Sequence, residues 1–360
     1  MSVEINDDRC STDSLIFISA LCLFLSAIEY AIPKPLPFLR LGLANLPIII
    51  FLKRIRLRDL LLIIIFKVLG QAIISGTLFS YIFVFSVSGS FSSGLMMFVL
   101  YKSLYRKKLI SNIGLSLLGA MANCLAQLIC AYFIMFGANT IYIAPLLTVF
   151  SAITGVILGL FCNYFEEKSK WLQEFDLKSI KTDLNLKIPA EIGKKINNIM
   201  AIITIIIAII SFVLLLIIRN IFFTWSIVGL FFVLLEITKK GKVKVFPPLL
   251  TVFFIILFSL LSPYGLVYLD MGFIKITQGA LESGLRKSGI LLGMTFCSQL
   301  ILAGKFWFPG KIGGRIQQFF DCYGMLTQSL KDVKVKGAIQ FIDQHLRNIT
   351  AQMQVQGGLK

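Results

Sequence analysis

Between Leu109 and Phe136 the chain runs for 28 residues without one charged side chain. A helix needs about 20 mainly apolar residues to cross a bilayer, and only helices and closed barrels satisfy their backbone polar groups in lipid. The run points to a membrane-spanning helix, and it has companions. Leu15 to Ile32 carries a single charge, Glu29, and Ile141 to Asn163 carries none. Over all 360 residues, 57% are hydrophobic and 15% charged, where soluble domains hold about 25% charged residues. The expected fold class is all-α: a polytopic transmembrane helical bundle of about ten spans in two units, with C-terminal amphipathic cytoplasmic helices.

In such a chain the net charge of +17 does not argue for nucleic acid. Basic residues collect in cytoplasmic loops of membrane proteins. Lys53, Arg54, Arg56 and Arg58 form one basic loop, and Lys102, Arg106, Lys107 and Lys108 another. The connections at Ser86–Ser93 and Gly137–Thr140, read as loops, hold no charge. The alternation predicts spans at Leu15–Ile32, Leu46–Leu52 (a short second crossing), Leu60–Val84, Gly94–Tyr101, Leu109–Phe136 and Ile141–Asn163. It puts both termini and the basic loops in the cytoplasm of an inner-membrane, multi-pass protein. Pro33 to Arg40 then lies outside. Met1 to Ser14 is acidic and lacks the basic start and small-residue cleavage site of a secretory signal.

Tyr164 to Asn197 breaks the hydrophobicity with seven lysines and six acids. This divides the chain into a membrane domain over residues 1–163, a cytoplasmic linker over 164–197 and a second membrane domain over 198–360. Spans are expected at Ile199–Ile218, Ile221–Glu236, Phe246–Leu261 and Ser288–Phe308. Ser262 to Leu285 reads as a mixed external segment. Arg286 and Lys287, at the outer end of the last span, run against the charge rule, and snorkelling of their long side chains accommodates them. From Lys311 the pattern is amphipathic, predicting helices on the cytoplasmic face. There Arg315, Phe319, Phe320 and Tyr323 are the candidates for docking cytoplasmic partners.

The stretch Pro37 to Pro47 is too polar and too broken for the middle of a spanning helix. Pro37 and Pro47 each remove a backbone donor, Gly42 admits backbone angles other residues avoid, and Arg40 and Asn45 add a cation and an amide. Irregular backbone at membrane depth survives where protein buries it or where it lines a cavity. The stretch is either a re-entrant turn joining two helices or the lid of a solute site. Lys67 lies about 12 Å into the third span at 1.5 Å per residue. A cation there costs on the order of 3 kcal/mol and needs a partner or a cavity. Gln71 and Ser75 follow on the same face, while Ser116, Asn123 and Gln127 form a stripe on the fifth span. These stripes describe either a pocket or interhelical hydrogen bonds that hold the bundle, with Lys67 a direct ligand or a snorkelling cation. The candidate substrate-binding set is Arg40, Asn45, Lys67, Gln71, Asn123 and Gln127.

Enzymatic chemistry has little material. No Gly-x-x-x-x-Gly-Lys-Ser/Thr phosphate loop and no aspartate-rich magnesium motif for a prenyl diphosphate occurs, and the single His345 sits in a polar tail. The seven cysteines are scattered without Cys-x-x-Cys spacing, so neither a metal site nor a disulfide framework is implied. No cofactor and no catalytic residue is expected.

Leu41-Gly42-Leu43-Ala44-Asn45 after a proline-rich turn, Gly76-Thr77-Leu78, Ser86-Val87-Ser88-Gly89 and Ser116-Leu117-Leu118-Gly119-Ala120 with Gln127 resemble the Gx transporter family. Its members often carry the label heptaprenyl diphosphate synthase component I. The family pattern has His-Asn where this chain has Asn123-Cys124. The family is similar to the six-helix substrate-binding (S) components of energy-coupling-factor importers, in which the loop after the first helix closes over the solute. Ile274 to Leu281 and Gly284-Leu285-Arg286-Lys287 resemble the coupling (T) component of the same importers. Gly313-Gly314-Arg315 is the nearest approach to that component's ATPase-gripping Ala-Arg-Gly motif. The resemblance implies a membrane subunit that binds a small polar or anionic solute and works with separate cytoplasmic ABC-type ATPase subunits. The alternatives are a non-catalytic accessory subunit for isoprenoid or quinone synthesis, or a membrane scaffold for redox proteins.

Overall fold

The computed structural model describes residues 12–31, 42–105, 109–174, 220–239, 246–261, 265–270, 275–303, 310–328 and 343–348, with single positions 107, 210, 213, 214 and 350. Helix α1, Thr12–Ala31, opens with Asp13 in its first turn, where an acid complements the helix dipole. It is the axis of the first half: Phe17, Ile18, Cys22 and Leu23 are fully buried. A one-turn 3-10 segment, Leu43–Asn45, leads into α2, Leu46–Phe51. Gly42 precedes it at φ 85°, a left-handed angle that favours glycine. Expected as a short second crossing, α2 is only about 9 Å long at 1.5 Å per residue, and all of its residues are buried. It is an inward plug and too short to span.

Helix α3, Leu57–Ser75, ends on Gly76 at φ 69°. Ser80 then caps α4, Tyr81–Leu100, by accepting the Ile82 N–H at 3.3 Å. This corrects the expected third and fourth spans, because Ser86–Ser93 is helix and the turn lies at Gly76–Ser80. The serines that read as a loop bond within the helix: Ser86 Oγ donates to the Ile82 carbonyl at 2.7 Å. Helix α5, Asn112–Ala131, begins at Ser111, which accepts the Gly114 N–H, and continues through a π turn, Tyr132–Phe136. Gly137 at φ 55° reverses the chain into α6, Thr140–Lys168. Small residues let α5 and α6 pack closely. Ser151 Oγ donates to the Ala120 carbonyl at 2.8 Å, and a Cβ on Gly159 would lie 2.5 Å from Ile113 Cα.

Helix α6 extends to Lys168 and α7 follows at Lys170–Glu174. The start of the expected linker is therefore ordered, because Phe165 and Trp171 are large apolar groups that join the core. The expected span Ile199–Ile218 lies almost entirely outside the described residues; among these the second half holds α8, Ile221–Lys239, and α9, Phe246–Leu260. An antiparallel hairpin, β1 Val267–Asp270 with β2 Lys275–Thr277, then leads into α10, Gln278–Ala303. Helix α10 packs on both α8 and α9. It starts earlier than the expected last span, so Arg286 and Lys287 lie two turns inside it. It also touches the first half: the Phe79 N–H donates to Ser298 Oγ at 3.2 Å, and Phe85, Leu147, Phe258 and Leu291 share one apolar cluster.

Helix α11, Gly310–Gln328, expected as an amphipathic helix on the cytoplasmic face, packs against α1 and α3. Gly70 makes the contact possible, since a Cβ there would lie 2.5 Å from the Phe319 ring. His345, expected in a polar tail, is buried, with its ring stacked on Phe24 at 5.8 Å.

Among the described residues three stretches are long and apolar enough to cross a membrane: Thr12–Glu29, Tyr81–Tyr105 and Asn112–Lys168, the last holding both α5 and α6. Ile221–Ile237 and Pro248–Leu260 are shorter apolar helices. Large apolar side chains on α5, α6 and α8, among them Phe133, Ile157 and Phe222, face outward. A lipid environment suits such a surface and water does not. Among the described residues the chain is an all-α membrane protein with one small hairpin.

Candidate functional site

A buried polar cluster lies where α1, the Gly42–Asn45 turn, α3 and α4 meet. It begins with Glu29 near the end of α1, whose side chain is 5% exposed. Its Oε2 accepts the backbone N–H groups of Gly42 and Leu43, each at 3.1 Å. The turn closes on itself through the Asn45 N–H and the Gly42 carbonyl at 2.8 Å. Glu29 thus fixes the start of the turn, and the turn aims the Asn45 side chain inward.

Asn45 joins two further helices. Its Oδ1 accepts from Lys67 Nζ on α3, and its Nδ2 donates to Ser93 Oγ on α4 at 3.2 Å. Lys67 is 2% exposed. A charge this deep demands polar company, since an unpaired ion inside a bilayer is costly. Glu29 and Lys67 grip opposite ends of one short turn with opposite charges, so its position depends on both.

A second polar pair faces α4 one helical turn from Ser93, at Gly89. Gln127 Nε2 donates to Asn123 Oδ1 at 3.4 Å, both on α5 and both buried. Gly89 on α4 makes room for them, because a Cβ there would lie 2.0 Å from Asn123 Oδ1. Ser116, further along α5, is buried, and its hydroxyl has no hydrogen-bond partner among the described residues.

Asn45, Lys67, Asn123 and Gln127 therefore sit along one interior seam. Gln71 follows Lys67 by one turn and is partly exposed. Arg40 lies outside the described residues. Of the docking candidates, Arg315 is exposed, Phe319 is spent in the core, and Phe320 and Tyr323 pack partly against that core.

Two residues of the cluster were not legible in the sequence. In the sequence Glu29 looks like a tolerable acid near a helix end, although it is the only charge in its span. Ser93 was hidden by the misplaced loop. Chemically the cluster offers an ammonium with up to three donors, an amide that donates and accepts, and a spare hydroxyl. Among the described residues no group of three or more His, Cys, Asp or Glu side chains is placed to hold a metal.

No curated protein and no solved structure matches the chain. Residues 200–304, which include α8, α9 and α10, match a domain of unknown function. Residues 18–165, which contain the entire polar cluster, match the family described as heptaprenyl diphosphate synthase component I.

Proposed function

We propose that the first half binds a small polar or anionic solute at the Asn45–Lys67 seam, as the solute-binding part of an energy-coupling-factor-type importer in the inner membrane. The observation that carries this is the buried Lys67 ammonium, held by Asn45 at the tip of an irregular turn that Glu29 anchors. An acidic group on the solute replaces the Asn45 carbonyl on Lys67, and the freed amide with Ser116, Asn123 and Gln127 reads its polar remainder. The second half acts as the coupling unit, with energy from separate cytoplasmic ABC-type ATPases. Because Phe319 is occupied within the chain, Arg315, Phe320 and Tyr323 remain as the docking surface on α11.

The test is gentle purification of the full chain followed by mass spectrometry of retained small molecules and proteins. A solute should be retained by the wild type and lost in Lys67→Met and Gln127→Leu. Arg315→Glu should keep the solute and lose the ATPases. The family description over residues 18–165 favours one other reading, a non-catalytic accessory subunit of prenyl diphosphate synthesis. Recovery of a prenyl diphosphate synthase with no ATPase and no retained solute would decide for it.

A further inference from the structure

Away from the polar seam, a cavity of about 370 Å³ opens between the two halves. Tyr81 at the start of α4, Ile134 and Met135 beyond the end of α5, and Glu282, Ser283, Arg286, Lys287 and Ile290 on α10 line it. The lining is amphiphilic, with two adjacent cations, two hydroxyls and an acid set against three apolar side chains. The Lys287 ammonium lies 5.8 Å from the Phe136 ring centroid. Among the described residues no carboxylate forms an ion pair with Arg286 or Lys287. Their place in the chain also runs against the alternation of basic and uncharged loops.

Aromatic side chains mark the level of this cavity. Tyr132, Phe133 and Tyr142, close by in the α5–α6 reversal, are all more than half exposed. Tyrosines gather at the headgroup level of bilayers, where an apolar ring body meets a wet tip. Two cations at that level, beside an apolar wall that opens outward, match a phosphate that carries an acyl chain. We propose that this cavity binds the headgroup of an anionic phospholipid, with Arg286 and Lys287 on the phosphate, Tyr81 and Ser283 donating hydroxyl hydrogens, and Ile134, Met135 and Ile290 against the chain. Glu282 opposes the anion and limits its affinity. Because α4 and α5 form one wall and α10 the other, the lipid bridges the two halves.

The experiment uses the full-length protein, stripped of lipid in detergent and given phosphatidylglycerol or phosphatidylcholine at equal mole fraction, with bound lipid counted by native mass spectrometry. Phosphatidylglycerol should be retained preferentially. Its affinity should fall about fivefold for each cation removed in Arg286→Gln and Lys287→Gln. Glu282→Gln, at an exposed position, should raise affinity, so the proposal stays testable if a cation variant fails to fold. Equal retention of both lipids, or no change in Glu282→Gln and in the cation variants that fold, would overturn it. Competition by inorganic phosphate at concentrations matching the lipid would show a free-anion site and also overturn it.

Discussion

In the first half Asn45, Lys67, Ser92, Asn112 and Ser151 send hydrogen bonds to other elements. In the second half Thr224, Ser226, Ser288 and Thr295 return theirs to a carbonyl three or four residues back. Both halves are apolar helices with hydroxyls bonded back to their own helix, Ser19, Ser75 and Ser86 among them in the first, but the first half adds these cross-element bonds. A back-bonded serine satisfies itself and specifies no neighbour. A cross-element bond holds two helices in one register, and losing it leaves a buried group unsatisfied at about 1–3 kcal/mol. The first half is therefore specified in part by polarity. The second is held by packing, with Gly284 and Gly289 admitting α9 and α8 close to α10. Exceptions are the Trp225 Nε1 donation to the Leu285 carbonyl at 3.2 Å and the Ser298 hydroxyl, which accepts from the Phe79 N–H of the first half.

The largest expected effect comes from the anchor of the turn. Glu29→Leu strips the acceptor from two backbone N–H groups and should destabilise the protein by about 2–4 kcal/mol. Ser226→Ala, its counterpart in the second half, should change stability by less than about 0.5 kcal/mol. Equal costs in unfolding titrations in mixed micelles would end the distinction between the halves.

Glycine substitutions sharpen it further. Gly89→Ala drives a methyl into Asn123 and should cost about 1–3 kcal/mol through overpacking. On α8, a methyl at Gly229 would meet nothing within 4 Å, so Gly229→Ala should stabilise by about 0.5–1 kcal/mol through helix propensity. Melting temperatures of the two variants should move in opposite directions.

The smallest effect concerns the rim of the first half. Lys53 Nζ pairs with Glu166 at 3.1 Å, and Asn112 donates to the same carboxylate at 2.9 Å. Burial lowers the Lys53 pKa, but the hydrogen bond and charge of Glu166, with Tyr105, outweigh it, so the net direction is upward. A folded pKa above the unfolded value of about 10.4 contributes stability that is fully present below that pH. The contribution is lost as pH rises through the folded value. Lys53 is 43% exposed, so solvent screening holds the effect to about 0.2–1 kcal/mol. Hydrogen exchange near pH 11 should show α6 loosening while α8 and α10 keep their protection, and Lys53→Met should remove the pH dependence.

Much of the architecture was legible in the residues. The expected Leu15–Ile32 became α1 at Thr12–Ala31, and the expected fifth and sixth spans became α5 with its π turn and α6. The pairing of Gln127 with Asn123 follows from four-residue spacing on one helix. The division of α3 from α4 was not legible, because a run of serines and glycines signals a loop in water. In an apolar bundle the same run bonds its hydroxyls back to the helix and gives neighbours a close surface. Gly76 and Ser80 were the true punctuation, one left-handed and one a cap. The fate of α11 was equally hidden. Its amphipathic face suits a membrane surface or a partner, and only Gly70 opposite Phe319 shows that α1 and α3 take it up.

By itself the sequence determined a helical membrane protein, since uncharged runs of this length satisfy their backbone groups in lipid only as helices. It also singled out Lys67, because a cation in such a run is costly wherever it ends up. Tertiary structure alone decided what Lys67 meets. Asn45 lies 22 residues away from Lys67 and 48 from Ser93, and Glu29 reaches Gly42 across 13. No helical period links residues that far apart. Their meeting depends on how short α2 is, on the left-handed angle at Gly42 and on the glycines that let α4 approach α3 and α5.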